Sequence, residues 1–343
     1  TFFFSSLRRS LDYSLSKKIT EKHILKKYSF PPTFLEFLWN KLHFFPIDNF
    51  VGNNDLVITS DWTEPPAKTQ KITIIHDLVY LKFPETLHKK IVAVQKRRLQ
   101  WVKKESSLII ADSYNTKQDL IKILKIPKEK IEISYPPVSV DIQTKEKVNK
   151  TLKKYSLLNK PFILTVGKIE PRKNVGRLIA GFLKAKLDNI DLIIVGSKGW
   201  ATDYYQSCLY RQTIVNNKRV KNIRFLGFIP DNDLYSLYQS ALFFIFPSIY
   251  EGFGYPIIEA MKLDCPVATS FTSSLKEIAS GSALLFNPYD EDEIAKTLFN
   301  LTQNQELRNI LKSKGKIKSR EFSAEKFAHS FLKIINKIYD NRN

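Results

Sequence analysis

The sequence predicts an α/β protein made of two doubly wound parallel-sheet domains that face a cleft. Short apolar runs rich in β-branched residues alternate with helical patterns, as parallel βαβ units require. A polar, lysine-rich stretch over 136–157 separates two such alternating sets and is expected to be an interdomain linker. The 343 residues also match the length of about two domains.

The first set opens on the apolar run 2–5, and residues 7–50 are mostly helical and basic, with a break at Pro31-Pro32. The later strands and helices follow from periodicity: strands at 55–59, 71–75, 108–111 and 131–134, helices at 85–105 and 115–124. Because Thr1 leads straight into a strand-like run, we expect an upstream piece of this domain to be missing.

The second set contains six expected strands and a closing helix. The strands are predicted at 162–166, 192–195, 223–225, 243–246, 266–269 and 283–286, and the helix at 324–339. The predicted domains are therefore residues 1–150 and 151–325. A C-terminal segment, 326–343, is expected to pack back on the first domain.

The charge balance indicates anionic partners. The chain has 54 Lys and Arg against 34 Asp and Glu, a net charge of +20 shared evenly between residues 1–150 and 151–343. Nucleotide phosphates, nucleic acid and an acidic membrane surface all fit such a surplus. With 43% hydrophobic and 26% charged residues, global disorder is excluded. No apolar run reaches the roughly 18 residues of a spanning helix, and no signal peptide is evident.

Only two cysteines occur, Cys208 and Cys265. They cannot form a disulfide framework, and such sparse cysteine usage fits a reducing compartment. The sequence therefore predicts a cytoplasmic protein.

Residues 246–261 contain the most informative motif. An apolar strand ends at Phe246, the chain turns through Gly252 and Gly254, and a helix opens near Pro256. Glycines allow a ligand to approach the backbone, and free N–H groups at a helix start favour phosphate. Two glutamates, Glu251 and Glu259, can then point into one pocket and accept hydrogen bonds from vicinal hydroxyls. The alternative is a plain strand–turn–helix corner with solvated glutamates.

A second motif follows the first strand of the second set. Gly167 is succeeded by three cations, Lys168, Arg172 and Lys173, ahead of a helix that begins near Asn174. Cations beside a helix N-terminus combine two sources of positive potential, which suits a diphosphate. The alternative is that these side chains are simply solvated.

Together these segments resemble the retaining GT-B glycosyltransferases of family 4. That family has two glutamates eight positions apart around a Gly-Phe-Gly-x-Pro turn, which Glu251 and Glu259 match, whereas Tyr255 replaces the usual aliphatic residue. Lys173 matches the lysine of the family's second motif, and Lys168 stands at its arginine position. The resemblance is dense over 160–300, and the Pro-Arg-Lys-Asn segment is similar to the branch of bacterial O-antigen mannosyltransferases.

The resemblance implies the fold, the activity and the site. Its fold is GT-B, with two Rossmann-like domains, an acceptor side first and a nucleotide-sugar side second. Its activity is transfer of a hexose, with mannose as first choice, from a GDP- or UDP-linked donor to a glycan or lipid-linked acceptor with retention of configuration. The implied catalytic residues are Glu251, His76, Lys168, Arg172 and Lys173, and the implied donor-binding residues are Gly167, Gly227, Phe253, Gly254, Tyr255 and Glu259.

The resemblance also assigns roles within that set. Glu259 would bind the ribose hydroxyls, Glu251 the sugar near its reacting centre, and His76, at a strand end, the transferred sugar and acceptor. The nucleotide sugar is a substrate, so no cofactor is expected. The family's opening strand and glycine-rich loop have no counterpart here, because the run 2–5 resembles the second strand of the domain.

An Asp-x-Asp motif at Asp231 and Asp233 bears on metal binding. In another glycosyltransferase fold such a motif binds a divalent metal. Here it directly precedes a helical run, so we expect one of the two aspartates to cap that helix. The sequence therefore predicts a metal-independent enzyme.

Two further surfaces leave alternatives open. The basic helix expected at 85–105 could lie on an anionic membrane at the inner face of the plasma membrane, or be an ordinary domain helix with a solvated face. The charge of the chain also admits a nucleic-acid-binding protein, but there is no recognised motif and no single basic patch, so nucleic acid is not an expected partner. A sugar-nucleotide epimerase on the same fold is the other alternative, whereas a phosphorylase would need a lysine setting for pyridoxal phosphate that is not evident.

Overall fold

The computed structural model describes most of the chain and divides it into two compact units. The described residues are 1–7, 10–199, 203–204, 206–207 and 222–340. The first unit comprises Thr1–Pro84, His88–Asp112 and Thr116–Ile133; the second comprises Glu85–Leu87, Ser113–Asn115 and Ser134–Asn343.

The described strands are numbered β1–β12 along the chain. They are β1 Phe2–Ser5, β2 Leu25–Tyr28, β3 Leu56–Ser60, β4 Gln70–Ile75, β5 Leu108–Ala111, β6 Ile131–Ile133, β7 Phe162–Val166, β8 Asp191–Val195, β9 Ile223–Gly227, β10 Phe243–Phe246, β11 Val267–Ser270 and β12 Leu284–Phe286. In the first unit β1 pairs with β2, and a separate four-stranded sheet has the order β3-β4-β5-β6. In the second unit a six-stranded sheet has the order β12-β11-β10-β7-β8-β9. Every pairing is parallel, which confirms the predicted class.

The described α-helices flank these sheets. In the first unit they are Tyr13–Thr20, Pro32–Leu35, Asp48–Val51, Val79–Lys82, Lys89–Glu105 and Tyr114–Leu124, whose first two residues are assigned to the second unit, with a π-helical turn at Glu36–Lys41. In the second they are Lys145–Lys154, Val175–Lys184, Asp231–Ser240, Tyr255–Lys262, Ser273–Ala279, Glu291–Gln303, Gln305–Ser319 and Ala324–Asp340. Within the described ranges, no helix combines the length and the apolar character needed to cross a bilayer.

The six-stranded sheet forms the centre of the second unit's core. Along β7 and β10, successive side chains enter different clusters: Leu164 and Phe244 pack on one face, and Ile163 and Ile245 on the other. All four are fully buried, which is why these strands read as continuous apolar runs. Strand order reverses at β7, which lies between β10 and β8. In open α/β sheets, ligands bind outside the carboxyl ends of the strands at such a switch point.

The stretch 136–157 is not a simple linker. It contains the helix Lys145–Lys154, whose first turn is capped by the Thr144 hydroxyl. This helix packs on the helix Asp231–Ser240, and the second unit begins at Ser134 rather than near residue 150. The helix could not be predicted from hydrophobic periodicity, because most of its residues are exposed and polar. Its buried residue Thr151 is not strongly apolar either.

The first fifty residues contain a strand that the sequence did not predict. Strand β2 has two exposed lysines at its centre, and only its end residues, Leu25 and Tyr28, are partly buried. An edge strand of four residues with charged side chains carries almost no hydrophobic pattern. Phe3 of β1 lies within 5.6 Å of the rings of Trp39 and Phe50, which anchors the pair of strands to an aromatic cluster.

The basic helix of the first unit begins at Lys89, and its cations are not uniformly solvated. Arg98 is 3% exposed, with Nε 3.4 Å from Glu64 Oε2. Arg97 donates from Nε to Glu36 Oε1 at 3.0 Å. Arg98 is therefore part of the buried side of this helix and Arg97 is paired, so neither is a freely solvated cation.

Close backbone contact between two loops makes Gly196 indispensable to the second unit. A Cβ at Gly196, whose φ is +150°, would lie 1.9 Å from the carbonyl oxygen of Gly167. We expect Gly196→Ala to lower the free energy of unfolding by about 3 kcal/mol, because overpacking adds to backbone strain. Gly227→Ala is the control: its φ is also positive, +69°, but nothing lies within 4 Å of its Cβ. Chemical denaturation that finds equal losses would contradict the contact as the cause.

Candidate active site

Two of the predicted cations contact the first predicted glutamate. Lys173 Nζ lies 2.6 Å from Glu251 Oε1, and Arg172 Nη1 lies 2.9 Å from Glu251 Oε2. Arg172 also donates to the Tyr250 carbonyl at 2.8 Å, and its Nη2 is 3.6 Å from Glu170. The three side chains are between 12% and 14% exposed. The structure thus joins the two sequence motifs in one charged cluster.

The sheet topology brings this cluster together. Lys173 follows β7 and Glu251 follows β10, the strands that adjoin each other at the switch point. Between β7 and the next helix, Asn174 adopts a left-handed conformation and donates from Nδ2 to the carbonyls of Pro247 and Pro288. This buried amide ties the loop after β7 to the loop after β10.

Three serines hold Glu251 and its turn. Ser248, fully buried, donates to Glu251 Oε1 at 2.6 Å. The backbone N–H of Glu251 donates to Ser273 Oγ at 3.0 Å, and Ser274 donates to the carbonyls of Glu251 and Phe253. No sequence pattern predicts these roles, because the serines contact Glu251 and its turn through the folded loops.

The cluster keeps its charges. Burial raises the pKa of Glu251, but Lys173 and Arg172 more than offset this, so its pKa lies below the usual value. Burial also lowers the pKa of Lys173, and Glu251 opposes that effect. The contact of 2.6 Å between Lys173 Nζ and Glu251 Oε1 therefore forms a nearly buried ion pair in the free protein.

The second glutamate, Glu259, lies on the helix Tyr255–Lys262. It is half-buried, and its Oε2 accepts a hydrogen bond from Tyr238 Oη at 3.3 Å. Burial raises its pKa, and Asp231 contributes to the rise, while the Tyr238 hydroxyl opposes it. A carboxylate can accept several hydrogen bonds, so the Glu259 side chain can accept more than the one from Tyr238.

The remaining predicted residues differ in what they expose. Gly254 caps the helix with φ +113°, and Tyr255 beside it is 42% exposed. Lys168 is exposed, and Gly167 lies under the Lys173 side chain, 3.5 Å from where a Cβ would be. Of these four positions, Lys168 and Tyr255 are exposed and Gly254 is buried.

Phe253 and Gly227 are integrated into the fold. The Phe253 ring is 3% exposed and lies 5.4 Å from the Phe322 ring, so its side chain belongs to the core. Gly227 accepts a hydrogen bond from the Gly196 N–H at 2.8 Å. Any contact of Phe253 with a donor would have to come from its backbone.

The Asp-x-Asp motif does not cap its helix. The helix Asp231–Ser240 follows Pro230 and has no side-chain cap. Instead, Asp233 accepts from Lys154 at 2.6 Å and from the Tyr155 hydroxyl at 2.8 Å, since the unpredicted helix Lys145–Lys154 packs there. Among the described residues, no group of three or more His, Cys, Asp or Glu is arranged to hold a metal.

The predicted catalytic residue His76 lies in the first unit, in a group of polar side chains at the carboxyl ends of β3, β4 and β5. His76 Nδ1 lies 2.7 Å from Asp112 Oδ2, and Asp112 is almost fully buried. On the other side of the ring, Nε2 lies 3.0 Å from Ser60 Oγ and 3.3 Å from Asp61 Oδ1. Hydrogen bonds to Asp112 and then Asp61 raise the pKa of His76 to about 10, against the effect of burial. His76 is therefore an imidazolium at neutral pH.

Comparison with known proteins places this arrangement in a family. The profile described as glycosyl transferases group 1 matches residues 147–318, which contain both glutamates and all three cations. The chain is 30% identical over 266 residues to O-antigen chain mannosyltransferase B of Escherichia coli, covering 76% of this chain and 68% of that protein. The chain belongs to this family. It is also 32% identical over 254 residues to O-antigen chain mannosyltransferase RfbU of Salmonella typhimurium, covering 74% and 66% of the two chains.

Solved glycosyltransferase structures share the fold of this group 1 glycosyltransferase. Anabaena Alr3699/HepE, crystallised with UDP and glucose, superposes with a TM-score of 0.75 at 17% identity, covering 98% of this chain and 91% of that one. WaaG, a glycosyltransferase involved in lipopolysaccharide biosynthesis, has a TM-score of 0.66 at 15% identity, covering 89% of each chain. The GT-B fold and the mannosyltransferase-like branch expected from the sequence are confirmed. The site roles remain predictions.

Proposed function

We propose that the protein transfers a mannosyl residue from a GDP- or UDP-linked donor to a glycan or lipid-linked acceptor, with retention of configuration and without a metal. The observation that carries the proposal is the cluster of Glu251, Lys173 and Arg172 at the switch point, inside the family-matched region. The two mannosyltransferases named above are among the relatives that support mannose as the sugar.

The donor diphosphate is proposed to bind by exchange of ion pairs. In the free protein, Glu251 forms ion pairs with both Lys173 and Arg172. A diphosphate brings more negative charge than one carboxylate, so it competes for the same cations, with Lys168 and the backbone around Gly254 in support. The displaced Glu251 carboxylate would then face the sugar, where positive charge develops as the glycosidic bond breaks.

Retention is proposed to follow from attack on the same face of the sugar. The bond between the anomeric carbon and the diphosphate oxygen breaks, and the acceptor oxygen forms the new bond on that face. The acceptor proton passes to the leaving phosphate oxygen. Glu259 would hold the ribose, and the His76 imidazolium would donate a hydrogen bond to a sugar hydroxyl rather than act as a base.

We expect a panel of nucleotide sugars to identify the donor. We also expect sugar transfer to continue in excess EDTA. Lys168, Arg172 and Lys173 supply the positive charge that a divalent ion provides elsewhere. The measurement is release of GDP or UDP with and without EDTA. Loss of activity that Mn²⁺ restores would contradict metal independence, and epimerisation of a donor without transfer would favour the epimerase alternative.

We also propose peripheral attachment to the cytoplasmic face of the plasma membrane. Five lysines of the helix Lys89–Glu105 are exposed: Lys89, Lys90, Lys96, Lys103 and Lys104. Each contributes about 1 kcal/mol near an anionic surface. We expect the triple Lys96/Lys103/Lys104→Glu change to reduce co-sedimentation with phosphatidylglycerol vesicles, as added salt does.

A change of equal charge elsewhere in the first unit is the control for membrane binding. Lys17, Lys18 and Lys22 are also exposed and lie in or just after the helix Tyr13–Thr20. Their change to Glu should leave vesicle binding nearly intact. Equal losses in the two triple variants would show an unspecific charge effect and contradict docking through this helix.

A further inference from the structure

A groove of about 440 Å³ lies in the first unit. The segment 32–36, the loop after β3 and the helix Lys89–Glu105 form its walls. It is lined by Pro32, Thr33, Glu36, Trp62, Thr63, Lys90, Ala93, Val94 and Arg97. Its size falls within the roughly 300–1,000 Å³ of small-molecule sites. None of these residues belongs to the candidate active site, and Lys90 is also one of the five exposed lysines of the proposed membrane surface.

Buried amides fix the wall that contains Trp62. Asn40, which is 2% exposed, donates from Nδ2 to the Trp62 carbonyl at 2.8 Å and accepts from the Glu64 N–H at 2.8 Å. From the other side, Gln95 donates to the Asp61 carbonyl at 3.2 Å. The loop after β3 is therefore held between two helical segments, and the groove is preformed.

The lining is mainly apolar, and one of its three charged side chains has no ion-pair partner within the lining. Glu36 and Arg97 form an ion pair within it, which cancels two of its three formal charges. Lys90, an exposed ammonium, is the third. Much of the rest is aliphatic or aromatic, including the indole of Trp62, which is 53% exposed. An aliphatic chain that ends in an anionic group complements this combination of an apolar lining and one cation.

The groove also adjoins the candidate chemistry of the first unit. Trp62 directly follows Asp61, whose Oδ1 is 3.3 Å from His76 Nε2. We propose that this groove binds the aliphatic chain of a lipid-linked acceptor, with Lys90 on the phosphate of that lipid. The inference rests on the proposed function only in calling the ligand an acceptor.

The test is binding of decyl phosphate, kept below its micelle concentration, to the full chain by calorimetry. We expect saturable binding of decyl phosphate. Neither inorganic phosphate nor methyl α-mannopyranoside should compete with it. Ala93 is exposed and lines the groove, so Ala93→Glu places a carboxylate there without disturbing the core. Ala93→Glu should weaken decyl phosphate at least tenfold. Gln100→Glu, an exposed position on the same helix outside the lining, should change affinity less than twofold.

Lys90→Gln separates the head group from the chain. It should weaken decyl phosphate severalfold and leave decanol unchanged. Unaltered binding by Ala93→Glu overturns the proposal. Competition by the mannoside would show that the groove is a saccharide site. A protein that binds phosphatidylglycerol vesicles but not decyl phosphate would show that it is a membrane surface. Either result would also overturn the proposal.

Nucleotide binding distinguishes this inference from the proposed function. Titration of GDP and UDP into the same proteins reports on the second unit alone. Wild-type protein that binds decyl phosphate but neither nucleotide would contradict the glycosyltransferase site and leave the lipid groove standing. Ala93→Glu that retains nucleotide affinity while losing decyl phosphate supports both.

Discussion

Glu251→Gln is expected to lower the rate of sugar transfer by about two to three orders of magnitude. Glutamine preserves the shape of the side chain and can still bond Ser248, but it removes the negative charge that the sugar needs as its glycosidic bond breaks. The same change frees Lys173 and Arg172 for the diphosphate, because both now pair with Glu251. Affinity for nucleoside diphosphate should therefore be unchanged or rise a few-fold, so the defect appears in turnover.

Stability must be measured beside the rate for this variant. Removing one partner of a nearly buried ion pair costs about 3 kcal/mol, because the cations lose their compensating charge. Saturating nucleoside diphosphate should recover part of that loss, since its phosphates replace the carboxylate. Glu306→Gln, at an exposed glutamate of the helix Gln305–Ser319, is the control and should change neither quantity. A rate within threefold of the wild type would contradict the role of Glu251.

Asp112→Asn is expected to reduce transfer at pH 8 by about a hundredfold. The Asp112 carboxylate is the largest cause of the raised pKa of His76, about 10, so without it the pKa falls back toward 6.5. Asp61 still raises the pKa in the variant, so its imidazolium fraction should fall as the pH rises from 6 to 8, whereas the wild type keeps its imidazolium through pH 8. The pH–rate profile should thus bend between pH 6 and 8 in Asp112→Asn and not in the wild type. An unchanged profile would contradict the positioning role of Asp112.

The same pair predicts how stability depends on pH. Because the pKa of His76 is raised on folding, its contribution is complete below pH 6.5 and is lost as the pH rises through about 10. The imidazole is 44% exposed, so screening leaves about 1 kcal/mol. Asp112→Asn should weaken this dependence in urea denaturation between pH 6 and 10, with Asp61 retaining part of it. In a double mutant, adding His76→Gln should cost little more, since the two residues act together.

Much of the second unit could be predicted from the sequence because its strands are buried on both faces. Strand β7 and strand β10 were predicted with the observed bounds, 162–166 and 243–246. Each is a continuous apolar run, and the glycine turns after them mark where the strands end. The glutamates and lysine could be found because their spacing resembles a known family.

What could not be predicted depends on contacts distant in the sequence. The sequence near His76 does not indicate that Asp61 and Asp112 contact its ring, because the strand ends meet only once β3, β4 and β5 form a sheet. The sequence predicts that Asp231 or Asp233 caps a helix, but neither does, and Asp233 is instead bonded by Lys154 of the unpredicted helix Lys145–Lys154. Nor does spacing reveal that Glu251 is already paired in the free protein.

Calorimetric titration of GDP and UDP into wild type, Glu259→Gln and Glu251→Gln tests the central claim, the donor site at the switch point, most directly. Glu259 is assigned to the ribose, which is present in the free nucleotide, and losing such an acceptor costs about 1.5–3 kcal/mol. The account predicts that Glu259→Gln weakens the preferred nucleotide by about ten- to a hundredfold, while Glu251→Gln binds it at least as well as the wild type. The opposite pattern, with affinity lost in Glu251→Gln and kept in Glu259→Gln, would show that the donor lies the other way round in the site.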